Sequence, residues 1–169
     1  GPHSMVSSWG GMSPPKDLNM VKPIERVLRS GLFGPWDGPD VGELPPGVNP
    51  ARHKAWGTDS FVFFPNFMVL VWKPNWYLTY HYWPTSYNEH IFEGTLYFAP
   101  PKNATERLRQ ELAAVTFKEY ALQDGNTLEA TQRSIESRAV TSFPLNDQEI
   151  LIRQLHKTAR DHVAAYQAQ

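Results

Sequence analysis

The sequence predicts an α+β fold: an antiparallel sheet followed by helices, with one long C-terminal helix against the sheet. Between Ser60 and Ala99, four β-prone runs are separated by turn residues. After Pro101 the apolar period becomes helical. Strands therefore come first and helices second, without the strand–helix alternation of a parallel sheet. A long helix lying on a curved antiparallel sheet encloses a cavity between them.

The elements follow in chain order. Gly1 to Ser4, ahead of Met5, reads as the remnant of a cleaved expression tag, and Met5 as a start codon. Residues 5–22 carry Ser, Gly and Pro with few periodic apolar positions and are expected to be flexible. The folded domain is expected over 23–169. Pro23 stands just ahead of Ile24, Val27 and Leu28, which predicts a short helix from Ile24 to Ser30 stopped by Gly31. Residues 34–50 are too dense in Gly and Pro for a helix or a central strand. They read as a long loop serving as a lid, a partner contact or a boundary.

The first strand run is Phe61–Phe64, broken by Pro65-Asn66, and the second is Phe67–Trp72, ended by Pro74-Asn75. The third, Trp76–Trp83, sets Tyr77, Thr79 and His81 on one face and Leu78, Tyr80 and Tyr82 on the other. The fourth is His90–Ala99, ended by Pro100-Pro101. Four runs with turns between them predict an antiparallel meander. Asn103-Ala104-Thr105-Glu106 has the shape of a capping box ahead of Leu108, Leu112 and Val115. Gly125 is expected to interrupt that helix before Leu128, Gln132 and Ile135 continue the stripe. A second box, Asn146 to Glu149, starts an amphipathic helix bearing Ile150, Leu151, Leu155, Ala159, Val163 and Tyr166. This last helix is expected to be the main buried one, with Leu151, Leu155 and Val163 facing the sheet.

Composition excludes several classes of function. The net charge of −1 supplies no broad basic surface for nucleic acid. Zero cysteines exclude disulfides, thiolate catalysis and cysteine-held clusters, including a [2Fe–2S] centre, within this chain. Their absence is compatible with a reducing compartment, and the expected location is the cytoplasm. No apolar run approaches the roughly 20 residues of a membrane helix. Neither a phosphate loop nor a Gly-x-Ser-x-Gly or His-Glu-x-x-His motif occurs.

Beyond residue 4 the histidines are His53, His81, His90, His156 and His162. His81 and His90 flank the Trp83–Asn88 turn. In a simple hairpin they face one another, either as a metal pair in need of a third ligand or as polar residues of a pocket wall or open sheet face. His156 and His162 fall on different faces of the last helix and read as surface groups. Asp124, before Gly125, is either a cap or turn carboxylate or a ligand projecting into the cavity; Tyr120 and Glu129 stand nearby. Tyr77, Tyr80, Tyr82, Trp83 and Phe92 read as core, with phenol hydroxyls and His81 as polar handles of an apolar cavity.

Phe63-Phe64-Pro65-Asn66-Phe67 resembles a strand motif of the Rieske non-heme iron ring-hydroxylating oxygenases, in the α-subunit catalytic domain. Leu122-Gln123-Asp124, then Glu129 and Gln132-Arg133-Ser134-Ile135, resembles that family's segment of acidic-or-Gln, Asp, Glu and Gln-x-Gly. The ending, with Glu149, His156 and an amphipathic helix, is also similar, so the likeness runs from about Ile24 to Tyr166. It implies a helix-grip domain in which one Fe(II) is held by two histidines and a carboxylate, with positions open for dioxygen. On this sequence the carboxylate falls on Asp124, and Phe117 and Tyr120 fall near where the family's pocket residues lie; Tyr80, His81 and Tyr82, the polar handles of the cavity, are expected to line the same substrate pocket. The chain departs from the pattern in lacking the closely spaced histidine pair and the Rieske domain. It thus resembles the C-terminal part of a catalytic domain and is expected to be inactive in oxygenation by itself.

Three functions follow for comparison. The first is a portion of an oxygenase acting on a hydrophobic or aromatic small molecule, completed by a missing N-terminal half, other α subunits, or a ferredoxin or reductase. The second is a non-catalytic helix-grip module that binds an apolar ligand. The third is an interaction protein completing a partner subunit through 34–50, where Trp36, Val41, Leu44 and Val48 are the apolar residues. Missing upstream elements would also leave parts of Phe61, Phe63, Val69, Val71, Tyr80 and Phe92 facing water, which favours association.

Overall fold

The computed structural model describes residues 1–9, 44–54, 56–72 and 76–169. The helix expected at Ile24–Ser30 and most of the loop expected at 34–50 lie outside them. Among the described residues the strands are β1 (Ser4–Trp9), β2 (Trp56–Phe63), β3 (Phe67–Trp72), β4 (Trp76–Pro84) and β5 (His90–Phe98). They form one antiparallel sheet in the order β1-β2-β3-β4-β5. Two helices follow, α1 (Ala104–Glu136) and α2 (Ile150–Gln167), completing an α+β fold of the helix-grip kind.

The sheet has one strand more than the four read from the sequence. Residues 4–9, expected to be a tag end and flexible chain, pair with β2 from Ser4↔Val62 to Trp9↔Trp56. Ser-Met-Val-Ser-Ser carries little apolar signal, yet an edge strand needs only one neighbour and free backbone groups. β2 also starts earlier than read, at Trp56, because a buried carboxylate organises its entry. Asp59 accepts hydrogen bonds from Trp56 Nε1 (2.9 Å) and from the backbone N–H of buried Asn49 (2.6 Å). Asn49 Oδ1 in turn accepts from the His53 N–H at 2.9 Å.

The turn after β2 falls where Pro65 and Asn66 predict it. Phe64–Pro65 is a cis peptide between β2 and β3. Asn66 then clamps that turn to β4: its Nδ2 donates to the Tyr82 carbonyl at 2.8 Å, and the Tyr82 N–H donates to its carbonyl at 3.0 Å.

Strand alternation sorts the aromatic side chains into two faces. The cross-strand sets Trp72↔Trp76↔Phe98 and Leu70↔Leu78↔Leu96 share one face with the pairs Tyr80↔Gly94 and Tyr82↔Phe92. That face receives α1. Trp72, Trp76, Leu78 and Phe117 form the buried cluster, flanked by Leu70, Tyr80, Leu96, Phe98, Tyr120 and Ala121. The approach is close at Gly94, where an added Cβ would lie 2.4 Å from Phe117 Cζ.

Asn103 caps α1 by accepting from the Glu106 N–H at 2.9 Å, while Glu106 reaches back to the Lys102 N–H at 2.6 Å. The helix then runs unbroken through Gly125, which corrects the expected interruption. One glycine costs a helix only about 1 kcal/mol, too little to stop so long an element. At α2 the second capping box is reciprocal: the Glu149 N–H donates to Asn146 Oδ1 at 3.2 Å, and the Asn146 N–H to Glu149 Oε2 at 2.7 Å.

The gripped helix is α1 and not α2, contrary to the reading of the last helix as the main buried one. Leu151 is half-buried, but Leu155 is 38 % exposed and Val163 56 %; Thr158 is the buried residue of α2. α2 lies beside β1, with His162 stacked on Phe64 (centroids 5.0 Å) and Gln154 donating to the Gly1 carbonyl.

Candidate functional site

The β4–β5 hairpin and the middle of α1 face each other across a cleft of about 600 Å³. Tyr80, Tyr82, His90 and Phe92 line the sheet side, and Tyr120, Asp124 and Leu128 the helix side. The placement follows from the two periods. Tyr80 and Tyr82 are two apart on a strand and share a face, with Phe92 opposite Tyr82. Tyr120, Asp124 and Leu128 are four apart on a helix and share a stripe. Two contacts span the gap. Tyr80 Oη and Tyr120 Oη are hydrogen-bonded at 3.1 Å, and Asn88 Nδ2 in the hairpin turn donates to Glu136 Oε1 at 3.4 Å.

Three rings form the sheet wall. Tyr80–Phe92 and Tyr82–Phe92 have centroids 5.2 Å apart, and Tyr80–Tyr82 6.4 Å. Phe117 lies behind this wall, its ring 6.0 Å from Tyr80 and edge-on to Tyr120 at 5.3 Å. It supports the pocket from the core.

Burial pushes the phenols of Tyr80, Tyr82 and Tyr120 above their ordinary value, and the Asp124 carboxylate adds to the rise at all three. The Tyr80–Tyr120 hydrogen bond raises Tyr80 further and opposes the rise at Tyr120. At neutral pH all three phenols therefore carry their protons. In the Tyr80–Tyr120 pair one hydroxyl donates to the other, and the acceptor's own proton is available to a ligand. Glu136 sits at the far end, its carboxyl held below the usual range by hydrogen bonds from Gln132 and Asn88.

The cleft thus brings together Tyr80, Tyr82, Tyr120 and Asp124 of the residues singled out in the sequence. His81 is not among its lining residues. It pairs with Glu93 on the opposite sheet face, stacked on Trp83 (3.6 Å) and 5.2 Å from Phe67. His90 pairs with Pro84 and lies on the cleft face. The hairpin register is therefore offset by three residues from one that would set His81 opposite His90, and three is odd, so the imidazoles point to opposite faces. The expected face-to-face pair does not form. His53 sits where the chain enters β2, at the Trp56–Trp72–Trp76 end of the sheet, away from the Tyr82 end that bears the cleft. His90 lines the cleft, as the pocket-wall reading of that residue allows, while Phe92, read as core, and Glu89 are lining residues that the sequence reading had not assigned to the pocket; for Phe92 the alternation of β5 against β4 was the available signal.

A family model described as ring hydroxylating alpha subunit (catalytic domain) matches residues 1–165. The chain belongs to this family. No curated protein and no solved structure gives a match to it. Membership makes this a catalytic-domain chain of the ring-hydroxylating oxygenases, whose complete enzymes are multi-subunit oxidoreductases that use Fe(II). Among the described residues no three His, Cys, Asp or Glu side chains gather closely enough to hold a metal. Nor is any helix among them long and apolar enough to cross a membrane.

Proposed function

We propose that this chain, β1 included, is the C-terminal part of an oxygenase catalytic domain, contributing a substrate pocket and one carboxylate, Asp124, to an iron centre completed from elsewhere. The observation that carries this reading is the position of Asp124. It lies on the α1 stripe between Tyr120 and Leu128, in a cleft walled by aromatic rings. A carboxylate at the mouth of an apolar pocket is where a metal ligand must stand if the oxidant is to form beside the substrate. The histidine partners and the electron relay lie on another segment or chain, with other α subunits and a ferredoxin or reductase as partners. A cytoplasmic setting is part of the reading, supported by the cysteine-free composition.

The chain's own residues bind and orient. The Tyr80, Tyr82 and Phe92 rings take the flat face of an aromatic or hydrophobic small molecule. The spare phenol proton of the Tyr80–Tyr120 pair orients one acceptor atom of that ligand. One carboxylate cannot hold Fe(II) against water, so the isolated chain performs no oxygenation. Anaerobic reconstitution with Fe(II), followed by metal analysis, tests this. Iron far below one per chain is expected, and near one tightly held iron per chain would overturn it. Naphthalene is expected to raise the melting temperature, since a ligand that binds only the folded state stabilises it. No shift near its solubility limit would overturn the pocket.

The cleft also favours the reading as a non-catalytic binding module, because its walls are complete without iron. Activity separates the two. Oxygenation after the chain is joined to a histidine-bearing partner from its own source, and lost in Asp124→Asn, supports the oxygenase portion.

A further inference from the structure

The charges around the cleft are one-sided. Asp124 and Glu129 line it from α1 and Glu89 from the hairpin turn, while neither Lys nor Arg is among its lining residues. The rest of the lining is neutral apart from His90. Opposite the two α1 carboxylates stand Tyr80, Tyr82 and Phe92, with Glu89 at the hairpin end of the same wall. Their rings are inclined to one another by 58° (Tyr80–Tyr82), 52° (Tyr80–Phe92) and 23° (Tyr82–Phe92), so the wall curves instead of lying flat. Ring faces carry partial negative charge and attract cations. A curved aromatic wall facing carboxylates, at a volume suited to a small molecule, repels carboxylate ligands and leaves a neutral hydrocarbon without the electrostatic attraction.

We infer that the cleft selects an organic cation, an ammonium group carried on an aromatic or alkyl body, over neutral and anionic molecules of the same shape. This rests on the reading of the cleft as the substrate pocket and names the class of substrate it takes. Asp124 is assigned to iron in the complete enzyme, so the selection falls to Glu89, Glu129 and the rings. The body of the ligand lies on Tyr82 and Phe92, and its charged head lies between the ring faces and Glu129 of α1, with Glu89 at the hairpin end of the cleft.

The test compares three probes on the full chain by calorimetry: benzyltrimethylammonium, its uncharged isostere neopentylbenzene, and phenylacetate. The cation is expected to bind about tenfold more tightly than the isostere, and phenylacetate more weakly than either. Added salt weakens the cation alone. The double substitution Glu89→Gln with Glu129→Gln is expected to cut cation affinity about three- to tenfold and leave the isostere unchanged. Both side chains are exposed, so the variant keeps the fold. Equal binding of all three probes, or preference for phenylacetate, overturns the inference and leaves the pocket standing. A charge preference that survives the double substitution also overturns it. Binding by none of the three overturns the pocket together with the inference.

Discussion

Gly94 sets how near α1 comes to the sheet. Its missing side chain leaves the space filled by the Phe117 ring, which is 8 % exposed and part of the buried cluster with Trp72, Trp76 and Leu78. Gly94→Ala is therefore expected to destabilise the chain by about 1–3 kcal/mol, the range for overpacking a filled core. Phe117→Ala is expected to cost about 3–5 kcal/mol by emptying the same space. Chemical denaturation measures both. The cleft phenols make a pH prediction of definite sign. Tyr80, Tyr82 and Tyr120 titrate above the ordinary value of 10.0 when folded, so above that pH the unfolded chain releases protons that the folded chain retains. Their contribution to stability is full below pH 10 and is lost as pH climbs past it. Ultraviolet titration is expected to show three of the seven tyrosines ionising late, together with loss of the fold; seven phenols ionising together while the fold persists would contradict the burial of this cluster. The pocket tyrosines were legible in the sequence because alternation assigns a face without knowledge of the partner strand. The His81–His90 relation was not, because it depends on where the hairpin turns, and a shift of one residue reverses a face.

Among the elements, the strand runs were legible wherever Pro and Asn closed them, and the capping boxes marked both helix starts. What the sequence did not contain was the choice between two amphipathic helices. α2 has the cleaner apolar stripe, but its Leu155 and Val163 remain well exposed, while the more polar α1 covers the sheet through Ala113 and Phe117. A stripe states that a helix has an apolar side; it does not state what the sheet has room for. Gly94 made that room on β5, beneath α1. Leu155→Ala is accordingly expected to cost less than about 1.5 kcal/mol, below the range for a buried leucine. A loss as large as that of Phe117→Ala would show that α2 is the gripped helix after all. β1 was illegible for a different reason: its register comes from β2, not from its own residues.

Across the whole molecule the two sheet faces differ. The face turned from α1 carries Phe63, Tyr77, Trp83, Ile91 and Tyr97, with Trp83 46 % and Ile91 61 % exposed. Of the residues expected from sequence to face water, Phe63 and Phe92 do so, while Phe61, Val69, Val71 and Tyr80 are half-buried. Apolar surface of this kind is expected to bind a hydrophobic dye; sedimentation at several concentrations alongside the fluorescence tells dye uptake by a monomer from association. A dye-silent chain would show that this face is covered. The cleft has a simpler ancestry in the chain. All its lining residues fall between Tyr80 and Gln132, in a hairpin followed directly by one helix. Its walls meet through Tyr80–Tyr120 and Asn88–Glu136, 40 and 48 residues apart in sequence, whereas the β4–β5 hairpin that forms one wall closes through a short turn, so less loop entropy opposes the hairpin than the seating of α1 on it. The cavity is thus positioned to take shape in two steps, the hairpin first and α1 onto it afterwards, and hydrogen exchange during refolding would register that order as protection in β4 and β5 ahead of α1.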